Sequence, residues 1–279
     1  MNRSPAKKPA KLKWSGWTDC GKFRPNNEDS FLGLQFDARE IFRLGKFGEA
    51  SLEKTDFVFA VSDGMGGARA GEFASRIAVE KITMLLSRAF LHSALGLQPG
   101  FSDVLTELFD RIHRALVFVG GSYEETAGMQ ATLSLCWFMP GWMYFGHIGD
   151  SRIYHLPKQK KTVRQLTQDD THIGWLLRNG QISDYEARTH PRRKALQKAL
   201  GGGNQFVDPQ VGAVACGRGD IFLLCTDGLT EGIYDNQSVE LLRASQSSKE
   251  MSNPAQRLVE TSVKNSGHDN TTALVVEVV

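Results

Sequence analysis

The stretch at residues 56–67 reads DFVFAVSDGMGG and gives the clearest fold signal in the chain. Its first seven residues are mostly aromatic, β-branched or small, which is typical of a buried strand. Asp63 and Gly64 follow the strand directly. Because an Asp-Gly pair after an apolar strand is a common turn signal, this pair alone favours a turn over a functional site.

Acidic residues recur at the ends of other apolar runs. The runs that predict strands lie at 30–34, 56–62, 131–138, 142–148, 221–225 and 273–279. The aspartates at or near their ends are Asp29, Asp63, Asp150, Asp227 and Asp269. Several of these runs are apolar on both faces, so both sides of their sheets should be covered.

Carboxylates gathered at one edge of a core repel one another unless positive charge lies among them. Hard divalent cations bind carboxylate and carbonyl oxygens. A glycine beside an acid, such as Gly64 beside Asp63, lets a backbone carbonyl approach the same ion. Such a site can generate a hydroxide at neutral pH and clamp a phosphate, so the pattern predicts a divalent-metal site.

The loop at 63–72 has an alternative interpretation, a phosphate cradle leading into a helix. It lacks the Gly-Lys-Ser/Thr of a P-loop and the spacing of a dinucleotide fingerprint. The sequence therefore disfavours nucleotide binding.

Apolar residues at helical spacing predict helices over 72–90 and 102–119. A capping box at 183–186 predicts the start of a third helix. An Asn-Pro pair at 253–254 predicts the start of a last helix, which ends near Gly267. Strands in hairpins interleaved with helix pairs indicate an α+β sandwich.

Two segments are predicted to lie outside this core. Residues 1–11 contain prolines, small residues and lysines and are expected to form a disordered basic arm because they have little to bury. Residues 38–55 are expected to form an exposed hairpin or loop insertion.

The charge balance limits the partners. Lys and Arg number 33 against 31 Asp and Glu, a formal net charge of +2, so no polycation for nucleic acid is present. We find no apolar run long enough to span a bilayer and no secretory signal. The four cysteines show no CxxC pairing, which favours a reducing, cytoplasmic location.

Taken together, five motifs resemble those of the metal-dependent protein phosphatases, the PPM family of type-2C Ser/Thr phosphatases, in its bacterial form. They occur in the family's order: Arg24-Pro25-Asn26-Asn27-Glu28-Asp29, Asp63-Gly64-Met65-Gly66-Gly67, Gly149-Asp150-Ser151-Arg152, Thr226-Asp227-Gly228-Leu229 and Asp269-Asn270-Thr271-Thr272. The resemblance implies a four-layer αββα sandwich of two packed antiparallel sheets flanked by helix pairs. It also implies a single catalytic domain over 12–279, with a flap at about 168–198.

The resemblance further implies two Mn²⁺ or Mg²⁺ ions and a weaker third. The implied ligands, direct or through water, are Glu28, Asp29, Asp63, Gly64, Asp150, Asp227 and Asp269. Asp63 would bridge both ions, and Asp150 would help hold the third. Arg24 would bind the substrate phosphate, where its fork suits two oxygens, and Asn270 would support the site by hydrogen bonds.

The implied activity is hydrolysis of phosphoserine and phosphothreonine in proteins, by direct attack of a metal-bridging hydroxide. Arg24, Asp63, Asp227 and Asp269 would be the catalytic residues. A Ser/Thr kinase would be the opposing enzyme, and the protein would be a monomer. The alternatives are a pseudophosphatase or regulatory module on the same fold, and an unrelated hydrolase of nucleotides or other small phosphoesters.

Two departures from the family bear on mechanism. Met65 stands where some members have a histidine that protonates the leaving group. The acid is then a metal-bound water or a histidine, and the candidates are His147, His172, His190 and His268. Asp170 stands where relatives usually have histidine; it is expected to cap the following helix, with third-metal binding as the alternative.

Overall fold

The structure is a computed structural model, which describes residues 10–37, 39–66, 70–94, 100–203, 206–244 and 253–279. Its strands are β1 Lys11–Asp19, β2 Asp29–Phe36, β3 Ile41–Arg43, β4 Phe47–Ser51, β5 Asp56–Met65, β6 Gln130–Ala131, β7 Leu133–Met139, β8 Trp142–Ile148, β9 Arg152–Leu156, β10 Arg164–Gln165, β11 Leu200–Gly201, β12 Gln210–Ala215, β13 Ile221–Cys225 and β14 Thr271–Val278. Its α-helices are α1 Ala70–Ala94, α2 Phe101–Ser122, α3 His172–Arg178, α4 Asp184–Thr189, α5 Asp227–Gly232, α6 Asp235–Arg243 and α7 Pro254–Asn265.

The strands form two sheets. One has six strands in the order β10-β9-β13-β14-β1-β4. The other has eight, with β11-β6-β5-β7-β8-β12 in line, β2 paired with β5, and β3 paired with β2. Neighbouring strands are antiparallel throughout the described pairs.

Three buried apolar clusters separate four layers. The middle cluster lies between the two sheets and includes Phe57, Phe59, Phe138 and Phe222. The second lies between the eight-stranded sheet and helices α1 and α2, and the third between the six-stranded sheet and helices α5, α6 and α7. The predicted four-layer αββα sandwich is confirmed.

Local signals gave several helix boundaries correctly. Ser183 accepts from the Glu186 amide in a capping box that starts α4. Asn253 caps α7 with Pro254 in its first turn, and that helix ends two residues before Gly267. The helices predicted at 72–90 and 102–119 are a little longer than expected.

Other expectations need correction. Lys11 belongs to β1, where it pairs with Ser51, so the arm does not include it; residues 1–9 lie outside the described residues. The segment expected to be an insertion over 38–55 instead gives β3 to one sheet and β4 to the other. Leu52 is buried there, which explains why the segment does not hang free.

No single apolar run predicts β1, β9 or β12. Each interrupts its apolar residues with glycine, polar or ionisable residues. Within the described parts of the chain, no helix is both long and apolar enough to cross a membrane.

The topology brings the strand ends to one edge of the sandwich. Asp29, which starts β2, stands opposite Asp63 near the end of β5. The turn between β8 and β9 crosses from one sheet to the other and carries Asp150. Cys225, which ends β13, pairs with Ala273 near the start of β14, so Asp227 and Asp269 reach the same edge.

Candidate active site

A cavity of about 400 Å³ opens at this edge. The residues that line it come from all five motif regions and the flap: Arg24, Pro25, Asn26, Glu28, Asp63, Gly64, Met65, Gly66, Asp150, Lys194, Asp227 and Asp269. Asp29 and Asn270 do not line the cavity and are both buried. The structure thus gathers the predicted site residues in one region, while their roles as ligands remain predictions.

Asp29 is held from one side only. Its Oδ2 accepts hydrogen bonds of 2.7 Å from the hydroxyls of Thr226 and Thr272. Its buried Oδ1 has no hydrogen-bond partner among the described residues. Burial raises the pKa of Asp29 to about 7, against the two threonine bonds, and Asp227 and Asp269 add to the rise.

Asp63 is positioned through its backbone. Its amide donates to Thr132 Oγ1 at 2.9 Å, and that hydroxyl lies 2.7 Å from Ser151 Oγ. Burial, followed by repulsion from Asp29, raises the pKa of Asp63 well above its usual value. The side chain is therefore difficult to ionise without a cation beside it.

The next residue must be glycine. A Cβ on Gly64 would lie 1.8 Å from the carbonyl oxygen of Gly71 and 3.1 Å from that of Glu28. The backbone at Gly64 therefore packs directly against the start of α1, with the carbonyls of Gly71 and Glu28 beside it.

Asp150 lies in a turn that hydrogen bonds with Asp170 hold in place. Gly149 adopts a positive φ of 106°, which favours glycine. Its amide donates to Asp170 Oδ2 at 3.0 Å, and its carbonyl accepts from the Asp170 amide at 2.7 Å. Asp170 also accepts from Gln210 through Oδ1.

The expectation that Asp170 caps the following helix is wrong. Thr171 is the cap of α3, with its hydroxyl accepting from the Gly174 amide at 2.9 Å. Asp170, one residue earlier, points instead to the Gly149 turn. It thereby supports the loop that carries Asp150.

Arg24 lies at the mouth of the cavity. Its guanidinium contacts both oxygens of Asp269, with Nε at 3.0 Å and Nη2 at 3.2 Å. Its side chain is 45% exposed, so solvent and a ligand can reach it. The fork geometry that holds two carboxylate oxygens is the one that suits two phosphate oxygens.

Asn270 ties the Arg24 loop to β14. Its Nδ2 donates to the carbonyls of Cys20 and Asn26, both at 2.9 Å, and its Oδ1 accepts from the Glu28 amide at 2.8 Å. One buried side-chain amide thus holds three points of the loop, and its role in supporting the site stays a prediction.

Sequence reasoning missed Lys194 and Glu231. Lys194 Nζ lies 3.0 Å from Asp227 Oδ2 and 2.8 Å from Glu231 Oε1, and it also contacts Asp269 Oδ2. Although burial opposes it, attraction to Asp227 raises the pKa of Lys194 further above its usual value. The available signals were the basic run at 192–194 and the four-residue spacing of Glu231 from Asp227 on a helix.

The donor set suits a hard divalent cation. Asp227 Oδ1, like Asp29 Oδ1, is buried and finds no hydrogen-bond partner in the described part of the chain. Burial raises the pKa of Asp150 and of Asp227. Among the described residues, however, no three His, Cys, Asp or Glu side chains form a set that holds a metal ion as they stand. The Lys194 ammonium lies between two of the predicted ligands instead.

The histidine candidates do not line the main cavity. His147 is fully buried between Ser134 Oγ at 2.8 Å and the Gly149 carbonyl at 3.0 Å, and burial lowers its pKa. It supports the Gly149 turn and does not line the cavity.

The other three candidate histidines also lie outside the lining of the main cavity. His172 stacks on Trp175, and His190 accepts from the Arg192 amide. His268 stacks on Phe23 with ring centroids 4.9 Å apart and lines a neighbouring cavity of about 240 Å³. Of the predicted candidates, His268 is the one placed beside the site.

The predicted flap contains α3 and α4 and docks on α5. Arg188 donates to the Thr230 carbonyl at 2.8 Å and lies over the Tyr234 ring. Arg193 pairs with Glu231 at 3.1 Å. The second cavity lies beneath this segment and shares Asp150, Lys194 and Asp227 with the first.

Comparison with known proteins shows that the chain is similar to protein phosphatases. The family model described as protein phosphatase 2C matches residues 46–262. The serine/threonine phosphatase stp of Listeria monocytogenes is 33% identical over 93% of this chain and 93% of its own length. The serine/threonine protein phosphatase PstP of Mycobacterium tuberculosis is 31% identical over 96% of this chain, which spans only 45% of the PstP length.

Solved structures of serine/threonine phosphatases have the same fold as this chain. The S. agalactiae serine/threonine phosphatase superposes with a TM-score of 0.76 at 25% identity, covering 96% of this chain and all of that chain. A structure of the PstP catalytic domain in complex with two manganese ions gives a TM-score of 0.71 at 28% identity, covering 97% of this chain and 99% of that chain.

Proposed function

The chain belongs to the protein phosphatase 2C family, and we propose that it hydrolyses phosphoserine and phosphothreonine in proteins with Mn²⁺ or Mg²⁺. One observation carries the proposal. Carboxylates from four strand ends and the β8–β9 turn converge on one cavity, and an exposed arginine stands at its mouth.

The aspartates would hold the ions. Asp63, Asp227 and Asp269 line the cavity. Asp29 and Asp227 each keep a buried oxygen that no described residue hydrogen-bonds. Gly64 would add its carbonyl, while Glu28 and Asp150 complete the lining. When bound, divalent ions supply an activated water at neutral pH and neutralise charge on the phosphoryl oxygens.

Arg24 would bind and orient the substrate phosphate. Its guanidinium now holds both oxygens of Asp269, and the same fork would pair with two phosphoryl oxygens. To form this pair the guanidinium would release Asp269, and its positive charge would then stabilise the negative charge that develops on the phosphoryl oxygens. Asn270 keeps Arg24 in place by tying its loop to β14.

Proton delivery to the leaving alkoxide is a second role to assign. Met65 lines the cavity and has no proton to give. His268, which lines the adjoining cavity, or solvent would provide it.

The test compares a phosphothreonine peptide, p-nitrophenyl phosphate and ATP, with Mn²⁺, with Mg²⁺ and after EDTA. We expect peptide hydrolysis that needs a metal and is lost in Asp63→Asn. Asp208→Asn changes an exposed carboxylate whose ionic partner among the described residues is Lys198, and its activity should be unaffected.

Each other outcome rejects part of the proposal. Activity that persists in EDTA or in Asp63→Asn would reject the metal mechanism. No activity with any metal would favour a pseudophosphatase, and preference for ATP would favour a small-phosphoester hydrolase.

The opposing Ser/Thr kinase, cytoplasmic location, monomeric state and third ion belong to the same proposal. They are supported only by the family resemblance and by the composition. Light scattering of the purified chain tests the monomer, and metal counting at saturation tests the third ion.

A further inference from the structure

Lys194 makes contacts that no ordinary surface lysine makes. It comes from the flap, 33 residues before Asp227 in the chain, and its ammonium reaches carboxylates of Asp227, Glu231 and Asp269. A lysine ammonium has three donors and no acceptor. Three carboxylate partners therefore use its full donor capacity.

Two of these partners are predicted metal ligands. The oxygens that Lys194 contacts are Asp227 Oδ2 and Asp269 Oδ2. A divalent ion needs carboxylate oxygens in the same place, and an ammonium within hydrogen-bond distance repels it. Either Lys194 withdraws when the ion binds, or it lowers the affinity by staying.

Glu231 gives the ammonium a place to withdraw to. It lies one helical turn from Asp227 on α5 and contacts Lys194 at 2.8 Å. Arg193 already pairs with the same Glu231 oxygen. The Lys194 side chain is 36% exposed, so it has room to move away from the aspartates.

Resting on the proposed function, we propose that Lys194 is an internal cation that competes with the metal for Asp227 and Asp269. The competition lowers metal affinity and links metal binding to the position of the flap. Removing the ammonium should tighten metal binding, because both the displacement and the repulsion disappear.

The experiment measures Mn²⁺ binding to the full chain by isothermal titration calorimetry, after EDTA treatment and dialysis. Lys194→Met removes the charge and keeps much of the length, Lys194→Gln repeats the neutralisation with a polar side chain, and Lys194→Arg keeps the charge. Lys198→Met is the matched control, since Lys198 lies on the same segment and contacts only Asp208 among the described partners.

We expect Lys194→Met and Lys194→Gln to lower the Kd for Mn²⁺ by about tenfold, which corresponds to about 1.4 kcal/mol. Lys194→Arg and Lys198→Met should stay within about twofold of the original chain, a difference of about 0.4 kcal/mol by the same conversion. After EDTA, Lys194→Met should melt at a lower temperature than the original chain, and saturating Mn²⁺ should remove that difference.

A Kd within twofold for both neutral variants would show that Lys194 is an ordinary ion-pair partner and overturn the proposal. Weaker Mn²⁺ binding in both would also overturn it, since Lys194 would then organise the site. Absence of Mn²⁺ binding in every variant and in the original chain would instead reject the proposed function, and the competition with it.

Discussion

Asn270→Ala tests whether one buried amide holds the substrate-binding loop. The side chain is 4% exposed and makes hydrogen bonds to the Cys20 carbonyl, the Asn26 carbonyl and the Glu28 amide. At about 1 kcal/mol for each bond, the free energy of unfolding should fall by about 3 kcal/mol. Because the loop also carries Arg24, kcat/KM should fall with it.

Asn270→Asp sharpens the test. It keeps the acceptor for Glu28 but loses both donors, and it adds a carboxylate next to Asp269. We therefore expect a loss of stability at least as large as in Asn270→Ala, although the shape is nearly unchanged. Repulsion between the two carboxylates gives the sign.

Urea denaturation followed by circular dichroism measures the loss. Asn265→Ala is the control, since within the described residues that exposed side chain makes one hydrogen bond, to the Gly232 carbonyl. It should cost less than about 1 kcal/mol. If the free energy of unfolding of Asn270→Ala lies within about 1 kcal/mol of that of the original chain, the Asn270 amide does not hold the loop. An Asn270→Asp variant that is more stable than Asn270→Ala would give the same answer.

Three further predictions concern the Gly149 turn, phosphate binding by Arg24 and the pH dependence of stability. Asp170→Ala should lower kcat/KM and metal affinity together, because the Gly149 amide loses its acceptor; an unchanged affinity in calorimetry would show that the turn holds without it. Arg24→Ala should lower kcat/KM for a phosphopeptide by about 10- to 100-fold, the worth of a charged hydrogen bond, with Arg24→Lys intermediate; equal rates in all three would exclude phosphate binding by Arg24. After EDTA, the melting temperature should fall from about pH 5.5 to about pH 8. The folded pKa of Asp29 is raised to about 7, so the stability it contributes is complete below the ordinary aspartate value of about 3.9 and is lost as pH rises through about 7. Calorimetric scans check this trend, and a higher melting temperature at the alkaline end would contradict it.

The sequence predicts best what neighbouring residues decide. The capping box at Ser183 and the cap at Asn253 depend on residues within one turn, and both are present. The strands over 56–62 and 221–225 are apolar on both faces because helices cover one face and the other sheet covers the opposite one.

The sequence predicts strands less well where polar side chains are buried within them. β9 contains Arg152, which is held by Asp169 from the segment between β10 and α3, and a buried His155. No apolar run marks such a strand. Asp170 was misassigned because Thr171 has the same capping chemistry one residue later.

Lys194 and Glu231 lie beyond local reasoning for a different reason. They are 37 residues apart, on the flap and on α5, and only the fold brings them together. The motif aspartates, by contrast, could be placed at one edge, because each follows or precedes a strand in an antiparallel sheet.

The most direct test of the metal site is anomalous diffraction from a crystal of this protein soaked in Mn²⁺. We expect at least two manganese peaks in the cavity, bound by Asp63, Asp227 and Asp269. We also expect that Lys194 no longer contacts Asp227 or Asp269. Peaks absent from this cavity at saturating Mn²⁺, or bound only elsewhere on the chain, would contradict the proposed metal site.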